Sequence, residues 1–260
     1  NKRMLERIFN SVVDCQKDIA KLRAIKQPDE IKAIKKAINL TIEGFNKVNN
    51  VLQSAKYEYE LEAEFSYVFK RNGGYNHAYD PIIAAGKNAC TLHYIENNSK
   101  LQAKQLILMD VGAAVDGYAA DITRTYVKGT PTNRQREVHQ AVEAAHYDII
   151  KLLEPELPVE DYIRGVDGRM KQALKDVGLL KDDGDNETYR KYFPHAISHG
   201  LGVDVHDSLG GARYFMPGMV LTVEPGIYIP EEGIGVRIED DILITTTGHQ
   251  NLSAKLATTL

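Results

Sequence analysis

The stretch LMDVGAAVDGYAADITRTY, residues 108–126, decides the fold. At its centre, Asp116-Gly117 is the residue pair that a tight two-residue hairpin turn demands, because both positions need a left-handed backbone. The flanks, 105–110 and 118–127, read as strands. Pairing outward from the turn sets Asp110 opposite Thr123, with Asp121 two residues away on the same face. Asp110 and Asp121 are then diagonal neighbours, roughly 7–8 Å apart at the backbone. Carboxylates that converge at such a distance repel unless a cation lies between them.

A second pair of strands, 219–229 and 235–245, repeats the pattern. A loop at 230–233 sets Ile229 opposite Ile234, and so Glu224 opposite Glu239. Each hairpin thus presents two carboxylates flanked by apolar residues such as Met109, Val223 and Ile238. A solvated acidic face explains either pair alone; both together favour a hard-cation site. Imidazole is supplied by HAISHGLGVDVHD, residues 195–207, with His195, His199 and His206 around the small Gly200 and Gly202. Oxygen ligands with some imidazole suit manganese, cobalt or zinc. Asp110, Asp121, His199, Glu224 and Glu239 can fill two ions if carboxylates bridge. Two such ions about 3.5–4 Å apart activate water and polarise a carbonyl. The residues alone lead to a dinuclear hydrolase and stop there.

Around these hairpins the period is helical. Leu5, Ile8, Phe9, Val12, Val13 and Ile19 place one apolar stripe on a helix over 4–20, a connector from something upstream. Pro28, with Asp29 and Glu30 behind it, opens a second helix. A third carries Leu61, Phe65, Val68 and Phe69 and stops at Asn72-Gly73-Gly74. Thr132 and Gln135 form a capping box for a fourth. A fifth turns Ile163, Val166, Met170, Leu174 and Val177 inward, and a polar loop follows at 181–187. Helices, strands, helices and strands in this order predict an α+β fold with two similar halves.

Composition narrows the function. The chain of 260 residues is 43% hydrophobic and 26% charged, which suits a globular core and excludes a disordered chain. A formal charge of −4 carries no signature for nucleic acid or an anionic membrane. No apolar run approaches the ~20 residues of a membrane span. Two cysteines, Cys15 and Cys90, make no disulfide framework and fit a reducing cytoplasm. The first residue is Asn1 rather than Met, as expected of a fragment or a processed form.

Five stretches carry a resemblance: TLHYIEN at 91–97, LMDVGAAVDGYAADITRTY at 108–126, HAISHGLGVDVHD at 195–207, LTVEPGIYI at 221–229 and VRIEDDILIT at 236–245. Together and in this order, the chain resembles the pita-bread catalytic domain of Xaa-Pro aminopeptidases (aminopeptidase P), in the wider group of prolidase, methionine aminopeptidase and creatinase. The resemblance covers about residues 23–260 and leaves 1–22 as a helical connector or the remnant of an upstream N-terminal domain. It implies that Asp110 binds one metal, His199 and Glu224 the other, and that Asp121 and Glu239 bridge them. It implies manganese as the usual ion, with cobalt or zinc as alternatives. His93, His195 and His206 match histidines that position substrate and stabilise the tetrahedral intermediate. Arg237 matches an arginine of the aminopeptidase P and prolidase branch.

The implied activity is release of an N-terminal residue that precedes proline. Glu224 is the expected proton acceptor and His206 the expected oxyanion donor. A prolidase restricted to dipeptides is the runner-up, and a peptide-binding relative without turnover the third reading. Arg237 is the nearest cation to meet a dipeptide's carboxylate, unless it pairs with a neighbouring acid such as Asp240. Gly200 stands where a bulky aromatic residue is common in relatives, which predicts a wider subsite. Peptides with proline in second position are the expected partners, and a homo-oligomer is compatible with the sequence.

Overall fold

The computed structural model describes residues 2–74 and 76–260, apart from the side chains of Lys2 and Arg3. Seven α-helices are described: α1 Lys2–Leu5, α2 Gln16–Ala24, α3 Pro28–Val51, α4 Glu58–Arg71, α5 Asn133–Ile150, α6 Val159–Asp176 and α7 Asn186–Tyr192. The strands are β1 Asn76–His77, β2 Ile82–Ala85, β3 Leu106–Val111, β4 Ala113–Val115, β5 Tyr118–Ala119, β6 Ile122–Val127, β7 Val220–Val223, β8 Gly226–Ile229, β9 Ile234–Arg237, β10 Asp240–Thr245 and β11 Gly248–Asn251. The expected α+β class is what forms.

The halves are built around separate apolar cores. In the first, Ile34, Ile38, Phe45, Leu61, Phe65 and Phe69 of α3 and α4 pack on Ile107, Met109 and Val111 of β3. In the second, Val138, Val142 and Ile149 of α5 and Val166, Met170 and Leu174 of α6 pack on Leu221, Val223, Ile227 and Val236. Sheet β2-β3-β6 faces mainly the first core and β7, β8, β9 and β10 mainly the second, but Leu106 and Val127 reach the second, Val220 and Leu243 reach the first, and a small third cluster joins Ile82, Ala84 and Leu108 to Tyr228.

Both hairpin registers form as read. Asp116 and Gly117 have φ of 53° and 82°, as their turn requires. Asp110 opposes Thr123. Ile229 opposes Ile234, and Arg237 opposes Gly226. The long strands are interrupted, however: 118–127 parts at 120–121 into β5 and β6, 219–229 at Glu224-Pro225 into β7 and β8, where proline cannot donate to a central strand, and 235–245 at 238–239 into β9 and β10, while β3 is followed across Gly112 by β4. The capping box at Thr132 is present, with Gln135 N donating to Thr132 Oγ1 at 3.2 Å and Thr132 N to Gln135 Oε1 at 2.9 Å.

Three expectations need correction. The helix over 4–20 is instead the two short helices α1 and α2, and Leu5, Ile8, Phe9, Val13 and Ile19 are exposed. A helix's stability comes mainly from packing its apolar face, and this stripe finds no core. Asn1, the first residue of that expected connector, lies outside the described residues. Ile163 is 48% exposed although it shares a face with buried Val166 and Met170. The polar loop at 181–187 ends in a helix, α7, because Asp185 caps it by accepting from Thr188 N at 3.0 Å.

Arg124 of β6 joins the halves. Its side chain is 1% exposed, and Nη1 donates to the carbonyls of Thr123 and Glu239 at 2.9 and 2.7 Å. Nη2 meets Asp240 Oδ1 at 2.7 Å and the Leu256 carbonyl at 2.8 Å, and Nε donates to the Ala257 carbonyl at 3.0 Å.

Candidate metal centre and active site

All nine sequence-predicted residues line one cavity of about 640 Å³: His93, Asp110, Asp121, His195, His199, His206, Glu224, Arg237 and Glu239. The first half contributes Asp110 from β3 and Asp121 from just before β6. Glu224 and Glu239 follow the ends of β7 and β9, where both ladders break and let side chains turn into the cavity. The stretch carrying His199 runs beside β7. Glu224 N donates to the Ile197 carbonyl at 3.0 Å, and Thr222 N to the His199 carbonyl at 2.9 Å. That pairing brings His199 Nε2 to 3.6 Å from Glu224 Oε1 and 3.3 Å from Asp121 Oδ2. One ligand atom each from Asp121, His199 and Glu239 lie within 4.8 Å of one another.

The loop bearing His93 is held from beneath by buried Glu58. Its carboxylate accepts from Ala85 N, Asn88 Nδ2, Tyr94 OH and Ser99 N at 2.8–3.1 Å. Such a ring of donors satisfies a buried charge without a metal.

The cavity's own acids are in a different condition. Burial raises Glu224 to about 7, against the pull of His199 and Arg237. Burial also lifts Glu239, reinforced by Asp121 and Glu224, and it lifts Asp121, reinforced by Asp110. For His199, burial works downward, but the hydrogen bond and charge of Asp121, with Glu224, push it up to about 9. The carboxylates therefore crowd together with too little positive charge among them. That is the condition a pair of divalent cations relieves, and oxygen donors plus one imidazole are the set such ions take. The residues fit the group.

Two tyrosines escaped the sequence reading. Tyr79 OH lies 2.5 Å from Oδ1 of both Asp110 and Asp121. One hydroxyl proton serves two acids there, so it draws the carboxylates together. Tyr228 OH accepts from Arg237 Nη1 at 2.8 Å and lies 2.8 Å from His195 Nε2. Burial, then Arg237, depresses His195 to about 4, so its ring is neutral. With His195 Nδ1 2.7 Å from the Ala196 carbonyl, both ring nitrogens are engaged. Tyr79 sits in a connection with no motif spacing. Its only signal was a large aromatic beside the turn-forming Asp80-Pro81.

Arg237 Nη2 meets Asp110 Oδ2 at 2.5 Å, and Nε donates to Thr123 Oγ1 at 3.2 Å. The alternative pairing with Asp240 does not form, because Asp240 belongs to Arg124. Gly200 opens no subsite either. A Cβ there would lie 2.5 Å from the Asp207 carbonyl, so the missing side chain makes room for backbone.

Residues 32–246 match the profile of metallopeptidase family M24. The chain belongs to that family. It is 37% identical over 263 residues to the Xaa-Pro aminopeptidase of Escherichia coli (strain K12), covering 95% of this chain and 60% of that protein. Against the Xaa-Pro dipeptidase of Pyrococcus furiosus it is 33% identical over 249 residues, covering 94% and 66%. Among solved structures, aminopeptidase P from E. coli with the inhibitor Pro-Leu superimposes at a TM-score of 0.89 and 35% identity, again over 95% of this chain and 60% of that one. The architecture is thus the pita-bread fold of M24. The chain spans about three fifths of the length of these E. coli relatives. No helix among the described residues is long and apolar enough to cross a membrane.

Proposed function

We propose that this M24 chain is the catalytic part of an aminopeptidase that releases the N-terminal residue from peptides with proline in second position. The observation that carries the reading is the convergence of all nine predicted residues on one cavity. In this reading Asp110, Asp121, His199, Glu224 and Glu239 hold two divalent ions, manganese first and cobalt or zinc as alternatives. When bound, the ions supply Lewis acidity, lowering the pKa of water and polarising the scissile carbonyl. Glu224 lines the cavity beside His199 and is the proton acceptor in this reading. His206 and His93 face the same space and are placed to donate to the developing oxyanion and to hold the peptide. His195 forms part of the wall, set by Tyr228 and Arg237. We assign the catalytic unit to residues 23–260, with 1–22 as a connector, and place the protein in a reducing cytoplasm, where two free cysteines are at ease.

Arg237 supports the aminopeptidase over the dipeptidase. Its guanidinium is spent on Asp110, Tyr228 and Thr123, so it is not waiting for a free proline carboxylate. The test is kcat/KM with manganese for an Xaa-Pro dipeptide, an Xaa-Pro-Yaa tripeptide and its Xaa-Ala-Yaa counterpart. The tripeptide with proline is expected to be cleaved at least as fast as the dipeptide, and the alanine peptide negligibly. Strong preference for the dipeptide moves the assignment to prolidase, and indifference to proline removes the substrate class. Asp121→Ala and Glu239→Ala each take away a bridging ligand, and each is expected to leave less than about a tenth of the turnover.

A further inference from the structure

His206 faces the cavity without support of its own. Its ring meets His199 edge-on, with centroids 4.3 Å apart, but among the described residues no hydrogen bond fixes either ring nitrogen. Its position is therefore set by the backbone around it, which is anchored at the next residue. Asp207 N donates to the Gly200 carbonyl at 2.8 Å, and Ser208 N donates to Asp207 Oδ1 at 2.8 Å. The Asp207 carboxylate is buried with two cations: Arg23 Nε lies 2.9 Å from Oδ1, and Lys26 Nζ 3.3 Å from Oδ2. The side chains of Lys26 and Asp207 are 1% and 2% exposed. Arg23 also reaches Asp204 Oδ2 in the same loop, at 2.5 Å. The loop closes tightly over this knot, since a Cβ on Gly202 would lie 2.1 Å from Asp207 Oδ2. Lys26 is itself held, its N–H donating to the Gly218 carbonyl at 2.9 Å.

We infer that Lys26 and Arg23 are positioning residues for catalysis, setting the place of the His206 imidazole in the cavity through Asp207. Both precede residue 32, where the M24 match begins, so the site depends on a segment outside the matched span. The inference rests on the proposed function only in assigning His206 to the substrate.

A purely structural ion-pair cluster would lower stability and leave the chemistry alone, so a double-mutant cycle separates the two. Lys26→Met keeps the apolar stem and removes the charge. On an Xaa-Pro-Yaa peptide, kcat is expected to fall about 10- to 100-fold. KM should stay within about twofold and bound metal should be unchanged, as a lost transition-state contact requires. Lys26→Arg should recover most of the loss. In a His206→Ala background, adding Lys26→Met should change kcat by less than about twofold. Equal losses in both backgrounds overturn the inference, as does metal loss in Lys26→Met. If Lys26→Met fails to fold, Arg23→Gln runs the same cycle with the buried lysine still on Asp207, and additivity there is equally fatal. One readout is independent of turnover. The His206 ring signals in 1H–13C spectra should move in Arg23→Gln and stay in place in Lys47→Gln, which alters only an exposed pair with Glu64. Unmoved signals in Arg23→Gln overturn the positioning role, whereas an inactive wild type with shifted His206 signals sinks the functional reading alone.

Discussion

Tyr79 shows what a single hydroxyl does between two acids. It supplies one proton to Asp110 and Asp121, each 2.5 Å away, and is itself half-buried at the wall of the cavity beside their charges. Burial and the two aspartates drive its pKa far up, so it stays a donor at any physiological pH. Groups that orient metal ligands from behind change affinity about 10- to 100-fold when removed. Tyr79→Phe is therefore expected to weaken manganese binding by that factor while leaving all five proposed ligands in place. Titration of the metal-free protein by calorimetry measures it, and unchanged affinity would mean that the hydroxyl does not set the aspartate geometry.

At the scale of elements, α5 carries a pH dependence that has nothing to do with turnover. His146 is fully buried, and its Nε2 lies 3.4 Å from Asp240 Oδ2. Burial depresses it to about 4, with Asp240 opposing and Arg124 assisting. An unfolded histidine binds its proton below about 6.5. Between the two values the unfolded chain holds a proton that the folded chain refuses, so stability falls as pH drops from about 6.5 toward 4. The full difference is about 3 kcal/mol. His139, also lowered by burial, acts in the same direction. His146→Leu should flatten part of the decline in Tm between pH 6.5 and 4, and an unchanged slope would show that His146 titrates normally.

Legibility in the sequence followed the same scale. The hairpin registers could be read because a turn plus period-two alternation leaves one pairing, and Glu224 and Glu239 came with it. The breaks in those strands could not, since Gly112 and Pro225 act through close approach and a missing donor rather than through hydrophobic pattern. The stripe at Leu5, Ile8 and Phe9 has helical spacing, yet spacing does not say whether a core waits for it. Tyr79 and Tyr228 were missed because their importance lies in contacts across the fold, to Asp110 and His195, 31 and 33 positions away in sequence.

For the whole molecule, Arg124 is the test of the seam. Arg124→Met would leave buried Asp240 without its guanidinium and the carbonyls of Glu239 and Leu256 without a donor. Breaking a buried pair from one side costs about 3–5 kcal/mol. The expected result is a large fall in denaturation midpoint, not rescued by Arg124→Lys, because an ammonium cannot span the same fan of acceptors. An unfolding free energy within about 1 kcal/mol of wild type would show that the seam is held elsewhere.

The division into two apolar cores has a calorimetric consequence. Asp110 and Asp121 belong to one half, while His199, Glu224 and Glu239 belong to the other, so two ions bridged by the proposed ligands Asp121 and Glu239 would spend their binding energy across the boundary. Ligand at a hundred times its dissociation constant adds about 2.7 kcal/mol to the native state. Here that increment falls on the coupling between halves rather than on either core. Metal-free protein should melt with a van 't Hoff enthalpy below the calorimetric one, as two partly independent units do. With saturating manganese the two enthalpies should converge and the endotherm should sharpen as it moves upward. A metal-free endotherm that is already two-state would mean that the backbone seam alone makes the halves one cooperative body.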